Sequence, residues 1–486
     1  MSTPDFFRAR LDAMIDLRHP LAVLATRMPW PEIEKSLAPL LARKARMGSM
    51  KLDADMFGPT AVVVAGGLSA AGRPRLPIRL MVALLYLKHA FNESDESVVE
   101  RWSENCVWQF FSGQQYYEPR LPCDPSQIGR FRKVLGEAGV EQLLKTTIET
   151  AVRIQAVKKS EFERVIVDTA VQEKAIAHPT DSRLLEVARG QLAEMAKAVG
   201  LAPKQTFERE AQTLRRKAAG YAHARQFKRL RKVLRRQRTI LGVLMRDVQR
   251  KMQGLAEAAR QSLQELLDRV GRIHAQTAAK ANPSGRGKLY ALHAPEVECI
   301  GKGKARKPYE FGVKTSLAVT HGQGLIVGAR TFPGNPYDGH TLAAQLEQTS
   351  TLLQDLDVKP TTAIVDLGYR GADADIAPIE LIHRGKSKRL TDKQRRWLKR
   401  RQAVEPVIGH VKQDHGMQRC WLKGPEGDAL HAVLCAAGYN LRWLLRAIAR
   451  KGLRVLFVSV SWLAVLTAWL VSALRQPRNL AVMASN

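Results

Sequence analysis

Four short apolar runs rich in β-branched residues constrain this chain more than anything else in it. They are RVIVD ending at Asp168, YEFGVKTSLAVT over Tyr309–Thr320, GLIVGARTF ending at Phe332, and TTAIVD ending at Asp366. Runs of this length and composition read as strands. Between the third and fourth, NPYDGHTLAAQLEQTSTLLQDL reads as a loop followed by an amphipathic helix, and the fourth leads into a basic helical stretch carrying Glu405. The order is strand, insertion, strand, strand, helix, strand, helix. It predicts an α/β domain whose middle strands form an antiparallel meander and whose first and fourth strands are neighbours.

That order matches a ribonuclease-H-like layout with a mixed sheet, expected over residues 159–180 and 296–450. A basic helical insertion, residues 181–295, interrupts it, with Asp181 or Ser182 capping its first helix. The middle of the insertion, LRRKAAGYAHARQFKRLRKVLRRQRTILGVLMRDVQRK, has Asp247 as its lone acid and keeps an apolar stripe at helical spacing. Arg231, Lys232, Arg235 and Arg236 are its candidates for phosphate-backbone contact; a solvated or self-associating arm is the other reading. Upstream, an all-helical region is expected: a helical segment over residues 1–60, then a DNA-binding domain over 61–158 after a Gly-rich linker near 62–72. There a helix capped by Ser94 and a basic helix with Arg130, Arg132 and Lys133 fit a helix-turn-helix pattern, which any small helical domain could also show. Residues 451–486 read as an apolar C-terminal helix and tail.

Composition bears on partners. At 486 residues the chain is too long for one core. Its 77 Lys+Arg against 46 Asp+Glu give a formal charge of +31, which calls for a polyanionic partner, nucleic acid first and an anionic membrane second. The five cysteines are scattered, with no CxxC pair and no histidine cluster at zinc spacing, which fits a reducing cytoplasm. The N-terminus lacks the apolar core of a secretory signal. The uncharged stretch VLFVSVSWLAVLTAWLVSAL, 455–474, is just long enough to span a bilayer. A buried helix or an oligomer contact is the preferred reading, so no membrane is expected.

The chemistry rests on three acids. Asp168 and Asp366 close predicted strands, and Glu405 lies four residues after Arg401 and seven before Lys412, on one helical face. A surface ion-pair strip would look the same; the two other carboxylates turn the reading toward a metal site for phosphoryl transfer. Asp338 and Asp181 read as helix caps, Asp392 and Asp414 lack the flanking cations, and His410 reads as a solvent or phosphate contact. Pro406 places the helix start near Val404 or else kinks a longer helix.

From about Leu76 to Trp443 the chain resembles the DDE transposases of bacterial insertion sequences, specifically the group typified by insertion sequence five. The pieces that carry this are LLYLKHAFNESDESVVERW, WQFFSG, DPSQIGRFRK, VIVDTAV, HAPEVECIGKGKARKPYEFGVK, PGNPYDGHTL, VDLGYRG, RRQAVEPVIGHVK and GYNLRWLLR. The group's signature around its glutamate looks like Tyr-x2-Arg-x3-Glu-x6-Lys. Arg401, Glu405 and Lys412 fit it, while Leu398 stands at the tyrosine position with Trp397 beside it as the candidate for its stacking role. The resemblance implies that Asp168, Asp366 and Glu405 bind two Mg²⁺ ions, with Mn²⁺ as a substitute, and that the protein cuts the element's ends and joins them to target DNA. Arg401 and Lys412 would hold phosphates, Tyr369 and Arg370 would orient a terminal base or phosphate, and Lys314 is a further DNA contact. A homodimer acting on double-stranded terminal inverted repeats is implied. A non-catalytic nucleic-acid-binding repressor or scaffold that keeps the fold is the alternative.

Overall fold

The computed structural model describes residues 9–41, 49–55, 58–64, 76–278, 287–301, 307–372 and 376–475; over 49–64 and 453–475 it describes the backbone course alone. Helices α1 (Leu11–Met14), α2 (Pro20–Arg27) and α3 (Trp30–Leu37) come first. An antiparallel hairpin of β1 (Ser49–Asp55) and β2 (Gly58–Val64) follows. This corrects the all-helical expectation for the region. The run Val62–Val64 is β-branched and favours extended chain, a signal outweighed in the sequence by the glycines beside it.

Helices α4 (Ile78–Phe91), α5 (Asp95–Glu104), α6 (Cys106–Phe111) and α7 (Pro125–Arg153) form the rest of this region. Apolar almost all round, α4 is an interior helix, and it stops where Asn92 adopts a left-handed conformation (φ 57°). The expected Ser94 cap is present as a reciprocal box with Ser97 at the start of α5.

The sheet opens with β3 (Arg164–Glu173). Four helices follow: α8 (Asp181–Ala198), α9 (Glu208–His223), α10 (Phe227–Lys251) and α11 (Glu257–Gln276). Their apolar stripes meet in a core of their own, built around Leu185, Leu192, Leu241, Leu244, Leu263 and Val270 and separate from the core under the sheet. Thr180, not Asp181 or Ser182, caps α8. The chain returns through β4 (Glu298–Gly301), β5 (Tyr309–Thr320), β6 (Ile326–Phe332), α12 (Asp338–Leu352), β7 (Thr362–Ile364) and β8 (Glu380–Ile382). It ends with α13 (Asp392–Lys399), α14 (Val404–Asp414) and α15 (Gly424–Arg475).

The six strands run β4-β5-β3-β7-β8, with β6 also paired to β5. The pairs of β5 with β3, β4 and β6 are antiparallel; β3–β7 and β7–β8 are parallel. The first and fourth expected strands are therefore neighbours, with Ile166 opposite Ile364. β3 is buried on both faces because α14 and the rest of the sheet's helical cover enclose it. The apolar half of α15 that precedes residue 448 passes through the centre of the main core against α4, α7 and β6. Among the described residues no helix is long and apolar enough to cross a membrane; the side chains of the expected apolar segment 455–474 lie outside them.

Candidate active site

Two strands and one helix start bring the three predicted acids together. Asp168 lies in the middle of β3, not at its end as expected, since the strand runs on to Glu173. Two residues beyond the Ile166–Ile364 pair, the parallel neighbours reach Asp168 and Asp366, and Asp366 accepts the Gly368 amide at 2.8 Å in a tight turn over Leu367–Tyr369. Glu405 sits in the first turn of α14, which packs on the core through Val404, Val407 and Val411. The helix begins at Val404, so Pro406 falls where a missing N–H costs nothing.

The Arg401 guanidinium lies among them. Its Nη2 is 2.7 Å from Asp168 Oδ2 and 3.7 Å from Asp366 Oδ2, and its Nη1 is 4.0 Å from Glu405 Oε1. Arg401 belongs to a 3-10 turn, Arg400–Ala403, ahead of α14 and is only 18% exposed, as against 65% for Glu405. It faces the acids themselves, where the resemblance implies a phosphate clamp on Glu405's helical face. Three carboxylates against one cation leave the formal charge negative, and the donor set is entirely hard oxygen. Such a set fits Mg²⁺ or Mn²⁺, provided the guanidinium turns aside.

A fourth acid joins the cluster. Asp338 was expected to cap a helix, but it is the first residue of α12 and makes no cap hydrogen bond. Its Oδ1 accepts instead from Lys314 Nζ at 2.8 Å and from Thr169 Oγ1 at 3.0 Å. A Cβ on Gly368 would stand 2.9 Å from Asp366 Oδ1 and 3.0 Å from Asp338 Oδ2, so this glycine lets the two carboxylates close over one point of the backbone. Lys314 is thus at the site as expected, though held by Asp338 and the Pro336 carbonyl. The sequence signal for Asp338 is present in PYDGH but identical to that of a cap.

Several expected contacts lie elsewhere. Tyr369 is fully buried and cannot reach a DNA base. Burial first, then the fields of Asp168, Asp338 and Asp366, hold its hydroxyl well above the ordinary range. Lys412 does not flank Glu405's carboxylate: its Nζ is 3.1 Å from Glu310 Oε2 and 3.7 Å from Glu173 Oε1. Glu173 is about 17 Å along β3 from Asp168 at the usual rise per residue. The Trp397 ring, the candidate for a stacking role, has the Arg164 guanidinium 4.8 Å and Lys393 Nζ 5.4 Å from its centroid. Arg132 is buried against Asp95 at 2.8 Å, which withdraws it from the DNA-facing set. Arg130, Lys133, Arg370, Arg231, Lys232 and Arg235 are exposed, as is Arg236, which pairs with Glu210 at 2.7 Å. His410 is engaged with Asp414 at 2.7 Å.

Comparison with known proteins follows the same division of the chain. Residues 9–134 match the family model described as a transposase domain (DUF772), and residues 277–441 match that of a transposase DDE domain. A Rhizobium meliloti protein described as uncharacterized protein ORF8 in the nfe locus is 41% identical over 223 residues, 46% of this chain and 95% of that protein. No solved structure matches.

Proposed function

Because the chain belongs to the DDE transposases of insertion sequences, and transposition is therefore its function, we propose that it cuts DNA at the ends of its element and transfers the freed strand into target DNA. The observation that carries this is the convergence of Asp168, Asp366 and Glu405 on the Arg401 guanidinium. The sheet order, an antiparallel meander beside β3 followed by two parallel strands, supports a ribonuclease-H-like core. Arg401, Glu405 and Lys412 support placement in the group typified by insertion sequence five, with Leu398 in place of its tyrosine.

Asp168, Asp366 and Glu405 would hold two Mg²⁺ ions, which supply activation of an attacking oxygen and charge neutralisation at the leaving one. The chain's own residues do the rest. β3 and the turn after β7 fix the two aspartates on rigid backbone, while exposed Glu405 closes the site from α14. Arg401, whose planar fork is suited to a phosphate, would hold the scissile phosphate beside these acids. Lys314, tied to Asp338, keeps that acid oriented beside Asp366. Exposed Arg370 lies within reach of the same strand end, and Arg130, Lys133 and the α10 arginines offer phosphate contacts farther out. A homodimer would supply one such site per element end.

The test is cleavage of linear DNA carrying the element ends, in Mg²⁺ or Mn²⁺. Asp168→Asn, Asp366→Asn and Glu405→Gln should each lose more than the roughly 10–100-fold typical of an outer-shell partner, with DNA binding retained. Undiminished cleavage in any of them overturns the assignment. The guanidinium seated among the acids is also what a metal-independent DNA-binding repressor would keep; wild-type protein that binds the ends and never nicks them, in either metal, decides for that reading.

A further inference from the structure

Where α4 crosses α15, His89, His431 and Cys435 meet in the interior. Positions 431, 435 and 438 lie on one face of α15. A Cβ on Gly438 would stand 2.5 Å from the His89 carbonyl carbon, so the two helices touch backbone to backbone at this point. Cys435 Sγ is 3.7 Å from His89 Nδ1 and 3.5 Å from His431 Nε2, and all three donor atoms lie within 4.8 Å of one another. A tetrahedral zinc ion, with Zn–S of about 2.3 Å and Zn–N of about 2.0 Å, sets its sulfur and nitrogen donors ~3.5 Å apart. Two sides of the ligand triangle already have that length.

The surroundings suit a bound cation. Burial is the first cause that lowers both imidazoles, His89 well below its usual range and His431 to about 4, so each offers a neutral ring. The neighbouring cations Lys88 and Arg132 are both paired with Asp95, at 2.9 and 2.8 Å. His431 Nε2 now shares a hydrogen bond with the Gly416 carbonyl at 3.0 Å, and His89 Nε2 has no partner among the described residues. A cavity of about 1010 Å³ has His89, His415, His431 and Lys174 in its wall, with Cys435 set behind the two ligand histidines.

We propose that His89 Nδ1, His431 Nε2 and Cys435 Sγ bind a borderline-soft divalent ion of the Zn²⁺ class, its fourth position open to the cavity. Binding releases the thiol proton to solvent and moves the His431 ring proton from Nε2 to Nδ1, so that the Nε2–Gly416 hydrogen bond gives way to a metal bond. The nitrogen and sulfur set selects against Mg²⁺, so this ion and those at the carboxylates would not compete. The site also has a mechanical result. His89 lies in the segment matched by one transposase family model and the other two ligands in the segment matched by the second. The ion would clip the DNA-proximal helices to the catalytic domain.

Cobalt is the probe. Chelator-treated full-length protein titrated with Co²⁺ should develop a thiolate-to-cobalt charge-transfer band that saturates at one equivalent and is displaced by Zn²⁺. Cys435→Ser and His431→Gln should each abolish it, while Asp366→Asn and Cys420→Ser should leave it intact. Absence of the band in the wild type, or its persistence in Cys435→Ser, overturns the proposal. Should the ligand variants fail to fold, the wild-type cobalt titration and the Asp366→Asn protein decide. Zn²⁺ should raise the Tm of Asp366→Asn by a few degrees, and the absence of a shift there overturns the site.

Discussion

Arg401 is the residue on which the electrostatics of the site turn. Asp168 has only 14% of its side chain exposed and holds that guanidinium at 2.7 Å. Arg401→Gln should therefore destabilise the metal-free protein by about 1.5–3 kcal/mol, the worth of a hydrogen bond to a charged group. Mg²⁺ should restore more of the melting temperature in the variant than it adds to the wild type; equal increments would show that cation and metal do not share a place. A second residue sets an acid limit. Burial first, then Arg442 and Arg446, lower His415 to about 4, against the His89 carbonyl and Asp414. A histidine whose folded value lies below its unfolded one binds more protons when unfolded, so stability is full above pH 6.5 and falls toward pH 4. The loss from this one group is roughly 2 kcal/mol at pH 5. The fall in Tm between pH 7 and 5 should be smaller in His415→Gln by this one group's share, with His89 and His431 keeping theirs.

At the scale of elements, the legible parts were those with enough periodic residues to declare themselves. β5 has the bounds its apolar run gave, Tyr309–Thr320, and the neighbours β3 and β7 deliver Asp168 and Asp366 to one place. β4 and β8, of four and three residues, have no longer apolar run around them, whereas the equally short β7 stands inside TTAIVD. The three acids were readable because each stands at the edge of a recognisable run in the sequence, although β3 itself continues past Asp168 to Glu173. Asp338 was not, since a carboxylate at a helix start looks the same whether it caps or turns toward a strand. The roles of Tyr369 and Lys412 failed for a shared reason: spacing gives a helical face or a strand end, and burial by distant residues decides what that face meets. The turn after β7 carries its own prediction. Gly368→Ala would push Asp366 and Asp338 apart by a few tenths of an ångström. Cleavage should fall about 10–100-fold, as sub-ångström misplacement does at such sites, with the Tm nearly unchanged. A stable and fully active variant would show that the two acids need not close together.

The whole molecule combines an excess of 31 positive charges with a helical insertion that has its own core. Replacing Arg231, Lys232 and Arg235 with glutamine should weaken binding to any DNA sequence alike. The slope of log affinity against log salt should shrink by about 0.9 for each phosphate left without its cation. Unchanged slopes would remove α10 from the interface. The position of that insertion also sets an order of events during synthesis. β3 leaves the ribosome before either of its sheet partners: β5 begins at Tyr309 and β7 at Thr362. The insertion can settle on its own core while both edges of β3 wait unpaired, an exposed stage of the kind that invites aggregation. Glu405 emerges later still. On the proposed function, a nascent or truncated chain that stops short of α14 would carry phosphate-seeking surface without a complete set of acids, able to occupy DNA with no means to break it.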